Sequence, residues 1–212
     1  MNIPIDEENE FFLRLIEFNY DSNVEQKLQT LAQNIDWARG WPEKKEAFWN
    51  AEAFMWQWKI DTKLRASIAA QLASIQRGRN LDLGCGAYSY LPSVGFDCSA
   101  KMLQFNSQCT EKIVGDVEQK LPFSREFDSV TAIFVLNYVH NYAGLVQEIY
   151  RVLKNNGVFV MVLGSKINTW YSKKQENHLS PEEWKSILKK QGFRVRYQIK
   201  DTLHFFHCQK VY

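Results

Sequence analysis

Leu81-Asp82-Leu83-Gly84-Cys85-Gly86 is the stretch from which the rest of this chain is best read. A short apolar run delivers an aspartate and then turns on two glycines. Glycine adopts positive φ without strain and carries no Cβ, so the backbone there bends sharply and lets a ligand come close. In an open α/β sheet, such a turn after a parallel strand lies at the carboxyl end of the sheet, where nucleotides bind. Working outward, the hexamer is followed by Gly95-Phe96-Asp97, Gly115-Asp116, Phe127-Asp128-Ser129-Val130 and Arg151-Val152-Leu153-Lys154-Asn155-Asn156-Gly157.

Strand and helix signals alternate after Arg79. The spacing predicts strands over 80–83, 93–96, 112–114 and 129–136, the last a nearly continuous β-branched run suited to the buried centre of a parallel sheet. Helices are expected over 100–106, with Ser99 as N-cap, and over 145–153, stopped by Asn155-Asn156-Gly157. A buried strand over 158–163 follows. Ser180-Pro181-Glu182-Glu183 opens another helix with an N-cap, a proline at N1 and a glutamate at N3, which Gly192 ends. The stretches 194–199 and 203–211 read as an antiparallel edge hairpin. Alternation of this kind argues for a sheet covered on both faces.

The ordered motifs resemble those of the class I S-adenosylmethionine-dependent methyltransferases, in the form of a methyltransferase type 11-like domain, from about Arg79 to the C-terminus. The resemblance implies a doubly wound, mostly parallel, seven-stranded α/β sheet of the Rossmann-like methyltransferase kind, with S-adenosyl-L-methionine as cofactor. The first motif would lie against the methionine part, Asp97 would hold the ribose hydroxyls, and Asp116, ahead of Leu121-Pro122-Phe123, would face the adenine. The implied cofactor-binding set is Asp82, Gly84, Cys85, Gly86, Tyr88, Asp97, Cys98, Met102, Asp116, Val117 and Asn137. Tyr138 and His140, after the central strand, are the candidate catalytic residues, His140 as a general base titrating near neutrality.

The chain departs from the family pattern at Tyr88, where a further glycine is usual. The connection from Cys85 to Pro92 spans about eight residues, against the dozen or more of a normal parallel crossover. The first crossover helix is therefore expected to shrink to one turn at Tyr88-Ser89-Tyr90 or to become a loop. Helix N-terminal N–H groups are then lost from the site, and Tyr88 or Ser89 is expected to substitute with a hydroxyl.

Ahead of the motifs, residues 8–76 read as helices. Val24, Leu28, Leu31, Ala32 and Ile35 recur at helical spacing, as do Ile60, Leu64, Ile68, Leu72 and Ile75. Five of the seven tryptophans (Trp37, Trp41, Trp49, Trp56 and Trp58) fall here. This gives a division into a helical cap or lid, 1–76, and a cofactor domain, 77–212. The aromatic cluster serves either as cap core or as the wall of an apolar substrate pocket.

Composition bounds the rest. A chain of 212 residues with 45% hydrophobic and 24% charged side chains describes a globular protein. A net charge of +2 neither demands nor excludes a polyanion, although basic residues gather after Ser165. The four cysteines form no C-x-x-C pair and no metal-ligand spacing; they read as reduced thiols, and no metal is expected. Without a basic leader or a membrane-length apolar run, the expected location is cytoplasmic. The expected partner is a small-molecule substrate, with a tRNA nucleoside as the alternative acceptor and a non-catalytic cofactor-binding protein as the third reading. The absence of an Asn/Asp-Pro-Pro-Tyr/Phe tetrapeptide argues against the amino-methylating DNA and glutamine class. Trp170, Tyr171 and His178, in the insert after the buried strand, are further candidate substrate contacts.

Overall fold

The computed structural model describes residues 6–18, 22–75, 78–164 and 172–211. Seven strands form one sheet: β1 (Asn80–Leu83), β2 (Ser93–Asp97), β3 (Cys109–Val114), β4 (Phe127–Ile133), β5 (Leu153–Gly164), β6 (Phe193–Lys200) and β7 (Leu203–Lys210). Their order is β3-β2-β1-β4-β5-β7-β6. The first five are parallel, and β7 runs antiparallel to both β5 and β6. The strand order reverses between β1 and β4, and the crevice of a doubly wound sheet opens at such a switch point.

The central strands interlock through a buried polar network. Asn80 Nδ2 donates to Ser93 Oγ (2.8 Å) and Thr131 Oγ1 (3.1 Å), while Ser129 Oγ donates to Asn80 Oδ1 (2.7 Å). Thr131 Oγ1 in turn donates to Asp82 Oδ1 at 2.7 Å. Every member has a partner, so the network fixes the register of β1 against its neighbours instead of costing stability.

Both faces of the sheet are covered. Helices α7 (Tyr142–Val152) and α8 (Pro181–Lys190) bury Leu145, Val146, Ile149, Trp184 and Leu188 against Leu81, Val130, Phe159 and Phe206. On the opposite face, α5 (Thr62–Leu72) packs Ile68 and Leu72 against Val160, Val162 and Phe205. Helix α5, within the 1–76 segment, therefore packs as one of the layers on the sheet. Helices α1 (Glu7–Phe18), α2 (Glu25–Ala32) and α3 (Lys45–Glu52) gather around a separate apolar cluster that includes Phe11, Leu28, Ala32, Trp41 and Phe48, and the short α4 (Trp56–Lys59) follows α3.

Capping follows the sequence closely. Ser99 accepts from the Met102 N–H at the start of α6 (Ala100–Phe105), and Ser180 and Glu183 complete a reciprocal capping box on α8. Two boundaries shift. The apolar run of β4 leaves the sheet at Ile133, because Phe134 takes φ +61° and Leu136–Tyr138 forms a 3-10 turn. Strand β5 begins at Leu153, ahead of the asparagines read as a helix stop; Asn156 is accommodated there at φ +60°. The first crossover holds no helical turn at all, only turn and bend residues between Gly84 and Pro92. Among the described residues, no helix is long and apolar enough to cross a membrane.

Candidate active site

A cleft opens above the carboxyl ends of β1, β2 and β4, roofed by α3 and α4. It holds about 610 Å³ of empty space, counted out into open solvent at its mouth. Its floor is the glycine turn. Gly84 and Gly86 stand at φ +59° and +57°. A Cβ on Gly84 would press into Val135, and one on Gly86 would come 3.2 Å from Trp56 Nε1. The backbone is bare here because neighbouring side chains take the space a Cβ would need.

Asp97 closes one side. Its buried carboxylate accepts from Ser99 N at Oδ1 (2.8 Å) and from Gly86 N at Oδ2 (2.9 Å). Each carboxylate oxygen offers two lone-pair directions, and the Cys98 thiol also bears on the carboxylate beside these two N–H groups. Burial raises the Asp97 pKa, against the pull of those two N–H donors.

Asp116 and Glu118 form the opposite rim, and Lys45 of α3 reaches both. Lys45 Nζ lies 2.6 Å from Asp116 Oδ2 and 3.0 Å from Glu118 Oε2. Burial works against the ammonium, but the two carboxylates outweigh it and raise the Lys45 pKa. Glu118 Oε1 also accepts from the backbone N–H groups of His140 and Asn141, which fixes the rim to the start of α7. Asn50, also on α3, accepts from Ser99 Oγ at 2.8 Å.

The third wall is apolar. Trp49, Trp56, Met102, Val117, Ile133, Phe134, Val135, Tyr138 and Val139 line it. Trp49 meets Tyr138 edge-on, with ring centroids 5.2 Å apart, and meets Trp56 at 6.3 Å. Burial, with the Glu52 carboxylate nearby, pushes the Tyr138 phenol up to about 12, so it stays neutral. The turn that carries Tyr138 is held from beneath by Asn177, whose Nδ2 donates to the carbonyls of Leu136 (2.8 Å) and Val139 (3.0 Å).

Of the residues expected from the sequence, Gly84, Gly86, Asp97, Cys98, Met102, Asp116, Val117 and Tyr138 converge on this cleft. Five do not. Asp82 is buried beneath the turn, bonded to Thr131, and burial pushes its carboxyl up to about 6. The Cys85 side chain is buried behind the turn, near Cys109. Tyr88 packs edge-on against Tyr90 and lies under the Arg65 guanidinium, 4.6 Å from its ring centroid. With no crossover helix to aim it at the cleft, the ring finds its partners on α5. Asn137 turns its carbonyl toward the Glu176 N–H. His140 is 83% exposed, with Nδ1 3.8 Å from Glu176; only its backbone touches the rim. His178 is exposed too, while Trp170 and Tyr171 lie outside the described residues. The sequence carried no signal for Lys45, Glu118 or Asn177, whose roles arise from contacts across the fold. Among the described residues, no group of three His, Cys, Asp or Glu side chains is placed to hold a metal ion.

Comparison with known proteins agrees with this geometry. Residues 81–161 match the model of the methyltransferase domain family. The demethylmenaquinone methyltransferase of Thermotoga maritima is 24% identical over 183 residues, covering 66% of this chain and 80% of that protein. A chain of the Haloferax volcanii complex between the Trm112 methyltransferase activator and its methyltransferase superposes with a TM-score of 0.63 at 16% identity, over 77% of this chain and 98% of that one. Phosphoethanolamine N-methyltransferase 2 of Haemonchus contortus, solved with S-adenosyl-L-methionine, gives 0.62 at 15% identity, over 82% of this chain and 60% of that one. The motif order, the switch-point cleft and the match over residues 81–161 together give this chain the class I methyltransferase fold, with a methyltransferase-domain segment at its centre.

Proposed function

We propose that this protein methylates a small acceptor bearing an apolar or aromatic ring. The observation that carries the reading is the wall of Trp49, Trp56 and Tyr138 beside the bare backbone of Gly86. Rigid aromatic faces bury apolar area at low entropic cost and suit a flat or ring-bearing ligand. The names of two similar proteins, which act on demethylmenaquinone and on phosphoethanolamine, support a small-molecule acceptor over a nucleic acid.

The cleft fits the cofactor implied by the family. Asp97, buried at the edge of the cleft, would accept the ribose hydroxyls, and Asp116 on the opposite rim would receive an exocyclic amine. The turn at Gly84 and Gly86 would bring bare backbone against the amino-acid end. When bound, S-adenosylmethionine supplies a methyl group on a sulfonium, already a strong electrophile. What the chain adds is placement: the aromatic wall orients the acceptor and excludes water. Among the described residues no histidine lines the cleft, and the Tyr138 phenol stays neutral near pH 7. In the proposed reaction, proximity and in-line approach supply most of the rate.

The test is transfer of labelled methyl from S-adenosylmethionine into a cell extract separated into small-molecule, RNA and protein fractions. Label in organic-extractable small molecules supports the reading. Label confined to RNA would replace it with the nucleoside alternative.

A further inference from the structure

Cys85 and Cys109 come from distant parts of the chain and meet beneath the glycine turn. Cys85 is the residue between Gly84 and Gly86, and Cys109 opens β3. Between them stands Gly95 in the middle of β2. A Cβ on Gly95 would overlap Cys109 Sγ and lie 3.0 Å from Cys85 Sγ. The two sulfurs thus share the space that a side chain would fill, and each thiol bears on the other's titration. Ser89 Oγ sits 3.5 Å from Cys109 Sγ. Cys85 is buried, whereas Cys109 is half-exposed.

We propose that Cys85 and Cys109 form an oxidisable dithiol, a modification site under the cofactor turn that a hydroperoxide converts to a disulfide. Cys109 is the attacking thiolate. The neighbouring Cys85 thiol draws its pKa down to about 7, against burial and with help from Ser89. The same pairing, together with burial, raises Cys85, as befits the thiol that waits. A thiolate populated near neutral pH and reachable by solvent is the form that reacts. Cys109 Sγ attacks one peroxide oxygen, the O–O bond breaks, and the other oxygen leaves as hydroxide or alkoxide. The resulting sulfenic acid is attacked at sulfur by Cys85; the S–O bond breaks and the hydroxyl departs as water with the Cys85 proton. Two electrons pass from the dithiol to the peroxide, which is the only co-reactant.

The bond would act on the turn. An S–S length of about 2.05 Å is far shorter than contact between two sulfurs, so closing the bond draws Cys109 and Cys85 together, and Cys85 is the one that lies in a turn. Its backbone is held by few bonds, from Cys85 N to Phe96 O and from Asn106 Nδ2 to Cys85 O, at 3.4 and 3.5 Å. Gly84 and Gly86 on either side would move with it.

The test treats the reduced protein with a small excess of hydrogen peroxide, blocks remaining thiols by alkylation and maps the peptides without reduction. The expected main product is a Cys85–Cys109 cross-linked peptide that dithiothreitol abolishes. In Cys85→Ser the cross-link is absent and Cys109 advances to sulfinic acid. Affinity for S-adenosylhomocysteine, measured by calorimetry, should fall by about tenfold or more on oxidation and recover on reduction. Separate, uncross-linked Cys85 and Cys109 peptides, or a cross-link to Cys98 or Cys208, would overturn the proposal. A cross-link with unchanged affinity would overturn its link to the turn. The mapping does not depend on methyl transfer, so its failure is distinct from failure of the proposed function.

Discussion

Lys45 Nζ, on a helix of the cap, lies 2.6 Å from Asp116 Oδ2 at the end of β3. Through that contact, and through the bond from Ser99 to Asn50, the N-terminal helices are tied to the rim of the cleft they cover. Both partners of the ion pair are roughly one-third to one-quarter exposed, so solvent screens part of its energy. Lys45→Gln should cost about 0.5–1 kcal/mol in chemical denaturation, and the difference should shrink with added salt. A cost above about 3 kcal/mol would mean that the pair behaves as a fully buried one.

Among the described residues, Trp49 and Trp56 line the cleft and Trp184 does not, which gives a spectroscopic prediction. Binding of S-adenosylhomocysteine should change the tryptophan emission. The change should disappear in the Trp49→Phe, Trp56→Phe double variant and persist in Trp184→Phe, because Trp184 is buried between α8 and the sheet. Persistence in the double variant would separate the aromatic wall from the ligand.

Asp82 sets a pH dependence. Its folded-state carboxyl is pushed up to about 6 from an ordinary value of 3.8, chiefly by burial. The folded state therefore holds the proton more tightly than the unfolded chain, and stability falls as pH rises between about 4 and 6. Above that window the penalty is complete, about 3 kcal/mol for a shift of this size. Asp82→Asn should flatten this part of the stability curve and gain on the parent most at pH 7. Denaturant titrations from pH 4 to 7.5 check it; parallel curves for the two proteins would refute it.

Tyr88 supplies a contrast. Its ring is occupied by Tyr90 and Arg65, so Tyr88→Phe should leave affinity for S-adenosylhomocysteine within about twofold of the parent. A loss of tenfold would return the hydroxyl to the cofactor site.

The sheet was legible because its signals are local. The β1 apolar run, the glycine pair, Ser99 as a cap and the box at Ser180 each act within a few residues, and each appears where the pattern put it. What escaped was direction and distance. Tyr88 was expected at the cofactor, but the short crossover carries no helix, and its side chain turns to α5 instead. His140 lies in the right segment, yet only its backbone N–H engages the rim. Lys45 and Asp116 are separated by 71 positions, and an ordinary lysine at the start of a helix carries no mark of its partner. Asn177 likewise sits in an unremarkable polar stretch, and its bonds to the Leu136–Tyr138 turn follow from how the chain returns after β5.

The central claim is that the switch-point cleft binds S-adenosylmethionine through Asp97. The most direct measurement is isothermal titration of S-adenosylhomocysteine into the parent protein and into Asp97→Ala. Two hydrogen bonds to a charged acceptor are at stake, so the variant should lose about 1.5–3 kcal/mol, or about ten- to a hundredfold in Kd, while the parent binds one ligand per chain. Equal affinity for both proteins, or no binding to the parent, would contradict the account.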